Sequence, residues 1–250
     1  EYAGYKSLKD SFAFSNDSLY DFLKQKEFKE LPTFSNYDYT PFSMSSILNM
    51  QYVDSNYDHT LLTQPDIQAR FGEIRNAGVF SIFRSMGYDI GNYSIFDIKG
   101  KPALSGSNPL FPIHSILLTD KMFHKRLMKD LGWWLLTGKL ELRYIKEKFI
   151  YRNDAYNKKA EEMILQAAAK ISATPRFSYG HFFLPHGMYF RDSTGAFNSH
   201  EQMPDLFNKS LYLSYLKYTN SVIKKLVSKI VESDSGAIII VMLLPKILVL

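Results

Sequence analysis

The chain has 250 residues, of which 46% are hydrophobic and 22% are charged, as is typical of a globular domain. It contains no cysteine, which excludes disulfide bonds, thiolate zinc sites and a cysteine nucleophile. The formal net charge is +5, but the basic residues are spread between acidic ones, so we expect no nucleic-acid partner.

Both ends of the chain are expected to be cut from a longer protein. Glu1 opens the chain without a signal peptide and inside what reads as a structured segment. The last stretch, from Ala237 to Leu250, is apolar, but it is short and interrupted by Pro245 and Lys246, which makes it a poor membrane span. We therefore expect a soluble piece of a larger protein.

The first forty residues predict a helix followed by a strand. The capping residues 15–17 open a helix that continues to Phe28. The residues from Leu31 to Tyr39 are typical of a strand with its approach loop.

An extended segment is expected to become a helix at Thr40. Pro41 is favoured at the first position of a helix because its missing N–H would have no partner there. Thr40 is then expected at a helix N-terminus, where free N–H groups and the positive end of the dipole can hold a phosphate or sulfate. An ordinary helix cap is the alternative role for Thr40, and the spacing alone favours it.

The segment 65–96 predicts a crossover unit of a parallel sheet. A helix opens at Pro65, and its apolar stripe continues from Ile67 to Phe83. Gly87 indicates the end of that helix, and a strand is expected from Tyr88 to Phe96.

The second half of the chain continues the alternation of helices and strands. Residues 97–153 are interpreted as an insertion or loop-rich segment that carries a helix at 119–136. Two further helices are expected at 154–171 and 206–232, the second with one continuous apolar face. Two buried strands are expected at 176–186 and 237–242.

This order predicts an α/β fold, specifically a three-layer α/β/α sandwich with a mostly parallel central sheet that is incomplete in this chain. We expect a single domain over residues 1–250. Ligands bind such sheets beyond the carboxyl ends of the strands. This edge is expected to gather Thr40, the segment His181–His186 and the residues after Met242.

His181 and His186 are the histidines best placed for a site at this edge. Their odd spacing places them on opposite faces of an extended strand unless Pro185 bends the chain. His181 is expected to be a core residue or a neighbour of the ligand-binding groups. His186 is the better candidate for contact with a ligand.

The reactivity of Thr40 needs an activator. A threonine hydroxyl is a weak nucleophile at neutral pH unless a base or a metal lowers its pKa. No general base stands near Thr40 in the sequence, so the expected activator is a divalent metal that also clamps a phosphoryl oxygen. Zinc with oxygen and imidazole ligands suits a chain without thiols, although the sequence offers few such ligands.

Three segments together resemble the sulfatase-like branch of the alkaline phosphatase superfamily. Residues 40–49, TPFSMSSILN, resemble its nucleophile segment, where sulfatases have Cys or Ser and the phosphoethanolamine transferases and lipoteichoic acid synthases have Thr. Residues 181–189, HFFLPHGMY, are similar to its H-F-x-x-P-H-x-P-Y segment, whose second His contacts the transferred anion. Residues 208–230 resemble the helix before its last metal-binding strand.

The chain departs from the family pattern at its metal ligands. The family's first carboxylate lies at the end of a first strand, and Glu1 is at best the second residue of that pair. The family's S-D-H-G after the last strand is replaced by residues 243–246, LLPK. Met188 replaces a proline, and Met44 stands where sulfatases have arginine. The presence of Thr40 and the absence of an arginine at position 44 favour phospho-group transfer over sulfate ester hydrolysis. The missing metal ligands argue against activity in this piece.

The resemblance implies a metal-dependent hydrolase or phospho-group transferase. Thr40 is the implied nucleophile and a metal ligand, His181 and His186 the implied substrate contacts, and Glu1 a weak metal ligand. The implied cofactor is Zn, Mn, Mg or Ca, and the implied substrate is a phospho- or sulfo-ester of a lipid or glycan. The implied parent is a bacterial membrane-anchored protein that acts on the periplasmic or extracellular face. The alternative is a non-catalytic anion-binding pseudoenzyme or interaction domain.

Overall fold

A computed structural model describes residues 2–31, 37, 39–53, 63–104 and 151–243. Within these ranges the chain forms seven helices and two strands. The helices are α1 (Tyr5–Phe12), α2 (Asp17–Gln25), α3 (Thr40–Asn49), α4 (Gln64–Arg75), α5 (Gly78–Ser85), α6 (Arg152–Ala169) and α7 (Lys209–Ser233). The strands are β1 (Asp89–Tyr93) and β2 (Arg176–Gly180).

The two strands pair in parallel, which confirms a mixed α/β fold with a parallel crossover. The register places Asp89 opposite Arg176 and Tyr93 opposite Gly180. β1 ends three residues before the predicted Phe96, because the Asn92 side chain takes over the hydrogen bonds of the turn. Its amide nitrogen donates to the carbonyls of Phe96 at 2.8 Å and Lys101 at 3.0 Å.

Helices pack against both faces of β2. Phe177 and Tyr179 point to α5, where the rings of Phe177 and Phe83 stack with centroids 4.3 Å apart. The alternate residues point to α6: the Arg176 side chain donates to the carbonyl of Ala167, and a Cβ at Gly180 would lie 2.7 Å from Ile164 Cδ1. The period of two along the strand therefore places α5 and α6 on opposite faces.

The predicted single helix over Ile67–Phe83 is wrong, because α4 and α5 are separate helices. α4 begins at a capping box in which the Asp66 carboxylate accepts from the Thr63 N–H at 2.9 Å. It ends where the Asn76 side chain donates to the Gly72 carbonyl at 3.0 Å. The N–H of Gly78 donates to Asn49 Oδ1 of α3 at 3.1 Å, so the break is stabilised by a contact from outside the helix.

The predicted helix end at Gly87 is confirmed. Gly87 has a φ of +84°, a conformation that glycine adopts without steric cost. The N–H of Gly87 donates to Arg84 O and that of Tyr88 to Phe83 O, both at 3.0 Å, which is the Schellman arrangement.

The helices predicted at 15–28, 154–171 and 206–232 are confirmed with small shifts in their bounds. α2 follows Asn16 and ends at Gln25, and α6 spans Arg152–Ala169. α7 begins after Asn208, whose side chain accepts a hydrogen bond from the Leu211 N–H at 3.1 Å. None of the described helices is long and apolar enough to cross a membrane.

The predicted buried strand over 237–242 is wrong. Residues 237–243 form no regular strand, and the side chains of Ile238 and Ile240 are 92% and 79% exposed. β-branched residues suit a pleated surface, but they are buried only where neighbouring strands cover them. No neighbouring strand covers this segment in the described part of the chain.

The buried apolar residues form two clusters. The first core cluster joins the N-terminal segment, α1 and α2 to α7 and the loop before it, around Leu8, Phe190 and Tyr215. The second core cluster joins α3, α4 and α5 to the strands, around Met44 and Phe96. The predicted helix at 119–136, and residues 32–36 and 38 of the predicted strand at 31–39, lie outside the described residues.

Candidate functional site

Thr40 is the first residue of α3, so the predicted junction is correct to within one position. The cap is Tyr39, with extended backbone angles, and Pro41 occupies the second helical position rather than the first. The N–H groups of Phe42 and Ser43 both donate to the Tyr39 carbonyl, at 3.0 and 3.1 Å. Pro41 has no N–H, and the next two N–H groups already donate to Tyr39. This helix end therefore offers an anion fewer free donors than we expected.

Buried serines hold α3 in place. Ser45 is 2% exposed, and its hydroxyl donates to the Glu73 carboxylate of α4. Glu73 also pairs with Arg70, with a nitrogen–oxygen distance of 2.9 Å. The Ser43 hydroxyl donates to the carbonyl of Tyr37 at 2.9 Å. Sequence reasoning missed Glu73, because no local pattern links a serine to a carboxylate 28 residues away.

His181 lies immediately beyond β2, and its backbone N–H donates to the Tyr93 carbonyl at 3.4 Å. Its ring packs edge-on against Phe96 and Phe183, with centroid distances of 5.5 and 6.3 Å. Burial lowers the pKa of His181 to about 4. The imidazole is therefore neutral at pH 7, as expected of a histidine packed into the core.

Two consecutive residues of α6 clamp the segment 181–183, and sequence reasoning missed both. The Tyr156 hydroxyl donates to the His181 carbonyl at 2.7 Å, and the Phe183 N–H donates to Asn157 Oδ1 at 2.8 Å. Tyr156 and Asn157 are 8% and 5% exposed. The backbone around His181 is thus fixed from α6 rather than by further strand pairing.

His186 lies in a turn, and the predicted strand that runs to this residue is wrong. β2 ends at Gly180, the Phe183 N–H is taken by Asn157, and the His186 N–H donates to Phe183 O at 3.0 Å. The His186 side chain is exposed, with Nδ1 2.8 Å from the Gly187 carbonyl oxygen. Its position leaves it accessible to a ligand.

The three candidate residues have different packing neighbours. α3, which begins at Thr40, contributes Met44 and Leu48 to the second core cluster, and His181 packs on Phe96 of the same cluster. Leu184 and Met188, on either side of His186, pack on the first core cluster. Thr40's helix and His181 thus border one cluster, while His186 lies on a segment fastened to the other.

The described residues do not fit the implied metal. In ranges 2–31, 37, 39–53, 63–104 and 151–243 no group of three or more His, Asp or Glu side chains could hold an ion. Glu1 lies outside the described residues. We therefore assign no chemical step to a metal.

The three candidate residues supply a half-buried hydroxyl at a helix start, a half-buried, neutral imidazole beside the same core cluster, and an exposed imidazole on a segment that packs on the other cluster. A neutral imidazole can both donate and accept a hydrogen bond, and a hydroxyl can do the same. Comparisons of the chain with protein-family models, with curated proteins and with solved structures found no match. The resemblance to the sulfatase-like branch thus depends on the sequence motifs themselves.

Proposed function

We propose that the chain is part of a sulfatase-like hydrolase or phospho-group transferase domain in which Thr40 is the nucleophile. One juxtaposition carries this proposal: Thr40 begins a helix that packs on the second core cluster, and His181 packs on that cluster just beyond the carboxyl end of β2. The positive end of the α3 dipole favours negative charge next to the Thr40 hydroxyl. Sheet edges of this kind are the usual ligand sites of parallel α/β folds.

In the proposed reaction the Thr40 oxygen attacks the phosphorus of an ester. A threonine–phosphate bond forms, the bond to the leaving alcohol breaks, and the alcohol takes up a proton. Water or an acceptor alcohol then attacks the phosphothreonine, and the Thr40 hydroxyl is restored. His186, exposed in its turn, contacts the transferred group, and the neutral His181 supports the edge of the site.

We further propose that β1 and β2 are two strands of a larger parallel sheet in a three-layer sandwich. The packing of α5 and α6 on opposite faces of β2 supports this layering. By resemblance, the substrate is a phospho-ester of a lipid or glycan, and the parent is a membrane-anchored protein acting outside the cytoplasm. The proposal includes a divalent ion only if residues outside the described ranges supply its ligands.

The test compares Thr40→Ala with Thr40→Ser, in this chain and in a longer form that includes the residues encoded on either side. The substrates are bis-(4-nitrophenyl) phosphate and 4-nitrophenyl sulfate, with Zn²⁺, Mn²⁺, Mg²⁺ or Ca²⁺ added in turn. We expect turnover of the phosphodiester to fall at least about a thousandfold in Thr40→Ala, because the attacking oxygen is lost. Thr40→Ser keeps that oxygen, and we expect its turnover to stay within about tenfold of the wild type.

Mass spectrometry of the wild-type chain after substrate addition provides a second readout. A phosphate on residue 40 that is absent from Thr40→Ala supports the covalent intermediate. Equal turnover in the wild type and Thr40→Ala contradicts the proposal. Phosphate binding without turnover or metal uptake in either form of the protein favours the non-catalytic anion-binding alternative.

A further inference from the structure

The segment 237–243, which follows α7, exposes apolar side chains with a period of two. Ile238 and Ile240 are 92% and 79% exposed and Met242 is 47% exposed, whereas the residues at the odd positions are half-buried. Leu243, one of these, packs on the first core cluster. A period of two is the pattern of an extended chain, in which successive side chains point to opposite faces. One face of the segment therefore lies on the protein, and the other faces the solvent.

The backbone from 238 to 243 forms no hydrogen bond with the described part of the chain. The Ala237 N–H donates to the Asp234 carbonyl at 3.2 Å, in the turn that follows α7, and the pairing stops there. The described sheet contains only β1 and β2. A row of unpaired N–H and carbonyl groups between apolar side chains is the edge on which another strand pairs.

The composition of the segment favours pairing with a copy of itself. Residues 235–245 include no charged residue, and four of the seven side chains in 237–243 are β-branched. Short segments with high β propensity, low charge and no proline are those that self-associate when they are exposed. The charges and prolines that keep natural strand edges apart do not occur within 237–243. A second copy of the chain therefore carries a strand that matches this one.

The flanking charges favour an antiparallel arrangement. Asp234 precedes the segment, and Lys246 follows it in the sequence. Antiparallel pairing brings the start of one segment next to the end of the other, so the acidic flank of each copy lies near the basic flank of the second copy. Parallel pairing would bring like charges together.

We propose that two copies of the chain associate by antiparallel pairing of their segments 237–243, with Ile240 of one copy opposite Ile240 of the other. This register places Ile238 opposite Met242, so the three exposed side chains of each copy lie beside those of the second. A shift by one residue would direct the two exposed faces to opposite sides of the pair. The contact has two-fold symmetry and closes at two copies. It does not depend on the proposed phospho-group transfer, because it involves none of the candidate site residues.

Sedimentation velocity measures this association at protein concentrations from about 5 to 500 µM. The contact comprises one short strand from each copy and is smaller than a standard interface, so we expect a monomer at the lowest concentration and a reversible dimer at the highest. Ile240→Lys places two like charges opposite each other and should raise the dissociation constant at least about tenfold. The matched control is Ile171→Lys, which changes an isoleucine that is 98% exposed outside the segment and should leave the constant unchanged.

Engineered cysteines test the register, because the chain contains no cysteine of its own. Directly opposite residues of an antiparallel pair have Cα atoms about 4.5–5.5 Å apart, within the range that a disulfide bond spans. In the proposed pair the cysteine of Ile240→Cys faces its counterpart, whereas that of Ile238→Cys faces Met242. We expect oxidation to link Ile240→Cys into a dimer and to link Ile238→Cys at least about fivefold more slowly.

A chain that stays monomeric over the whole concentration range would overturn the proposal. Equal weakening of the dimer by Ile240→Lys and Ile171→Lys would also overturn it, because the contact would then lie elsewhere. Equal rates of crosslinking in the two cysteine variants would contradict the antiparallel register. Hydrogen exchange at the lowest concentration gives a further test, since amides from 238 to 243 that are protected in the monomer would show that the segment pairs within its own chain.

Discussion

At the scale of single residues, burial separates two histidines that lie five positions apart. His181 is enclosed by Phe96 and Phe183 and has a pKa lowered to about 4, whereas His186 is exposed in its turn. The first imidazole is neutral throughout the physiological range, while the second remains open to a ligand. Two imidazoles of the same chemistry therefore differ in their environment because the packing around them differs.

The lowered pKa of His181 predicts how stability depends on pH. The unfolded chain, with an ordinary histidine pKa of 6.5, binds a proton between pH 6.5 and about 4 that the folded chain excludes. The contribution of His181 to the free energy of unfolding is therefore complete above pH 6.5 and is lost as the pH falls to about 4. At about 1.4 kcal/mol per pKa unit, this loss is at most about 4 kcal/mol.

Urea unfolding at a series of pH values measures this loss. Carboxylates also titrate in part of this range, so the free energy of unfolding of the wild type is compared with that of His181→Gln at each pH. We expect the difference between the two free energies to diminish from pH 6.5 to 4. His186→Gln is the matched control for replacing a histidine, because this imidazole is exposed and lies outside the environment of His181. Parallel curves for the wild type and His181→Gln would show that this imidazole is not excluded from protonation.

At the scale of secondary structure, α6 organises the region beyond β2. One helical turn carries Asp154, which pairs with Arg191, and Tyr156 and Asn157, which hold the backbone of residues 181–183. The opposite face of the sheet is covered by α5 through aromatic contacts. Polar bonds therefore fix the segment with the histidines, and apolar contacts fix the strand before it.

Two buried tyrosines offer a direct test of the α6 clamp. The Tyr156 hydroxyl donates to the His181 carbonyl, whereas the Tyr215 hydroxyl is buried without a hydrogen-bond partner among the described residues. We expect Tyr156→Phe to lower the free energy of unfolding by about 1–2 kcal/mol, because a buried carbonyl loses its donor. Tyr215→Phe removes an unpaired hydroxyl and should be neutral or stabilising.

Chemical denaturation of the two variants gives the comparison. Hydrogen exchange adds a local readout, since the Phe183 N–H donates to Asn157 and should exchange faster in Asn157→Ala. Equal destabilisation by the two Tyr→Phe changes would indicate that loss of packing, not the hydrogen bond, determines the effect.

At the scale of the whole molecule, a closed polar network joins the start of the described chain to its last helix. The Tyr2 hydroxyl donates to Asn220 Oδ1 and accepts from Asn16 Nδ2, and Asn220 Nδ2 donates to Asn16 Oδ1, each at 2.6 Å. All three residues are at least 90% buried. The network fastens the N-terminal segment to the middle of α7 inside the first core cluster.

Tyr2→Phe removes the group at the centre of this network. Both asparagines then lose a buried partner, and we expect the free energy of unfolding to fall by about 2–4 kcal/mol. Tyr5→Phe is the matched control, because the Tyr5 hydroxyl is exposed and donates to Asp17 at 2.9 Å. Its expected effect is below about 1 kcal/mol.

Unfolding in urea, together with limited proteolysis of the N-terminal segment, distinguishes the two variants. Tyr2→Phe should expose α1 to protease before the rest of the chain is cleaved. A change of less than about 0.5 kcal/mol in Tyr2→Phe would mean that the network does not fasten this segment.

Much of the local structure could be predicted from the sequence. The helix that follows Asn16, the end of α5 at Gly87 and the start of α7 after Asn208 depend on hydrogen bonds between residues at most five positions apart. The start of α3 at Thr40 was predicted to within one position for the same reason. Capping residues and apolar periodicity carry this information in the sequence itself.

The tertiary structure alone decided the rest. The break between α4 and α5 depends on Asn49, the environment of His181 on Phe96 and Tyr156, and the support of α3 on Glu73, which are all distant in sequence from the groups they contact. The apolar run at 237–242 is typical of a buried strand, yet its side chains are exposed because no described strand lies beside it. Local propensity is a property of neighbouring residues, whereas burial and its effects on charge and hydrogen bonding come from segments that only the folded chain brings together.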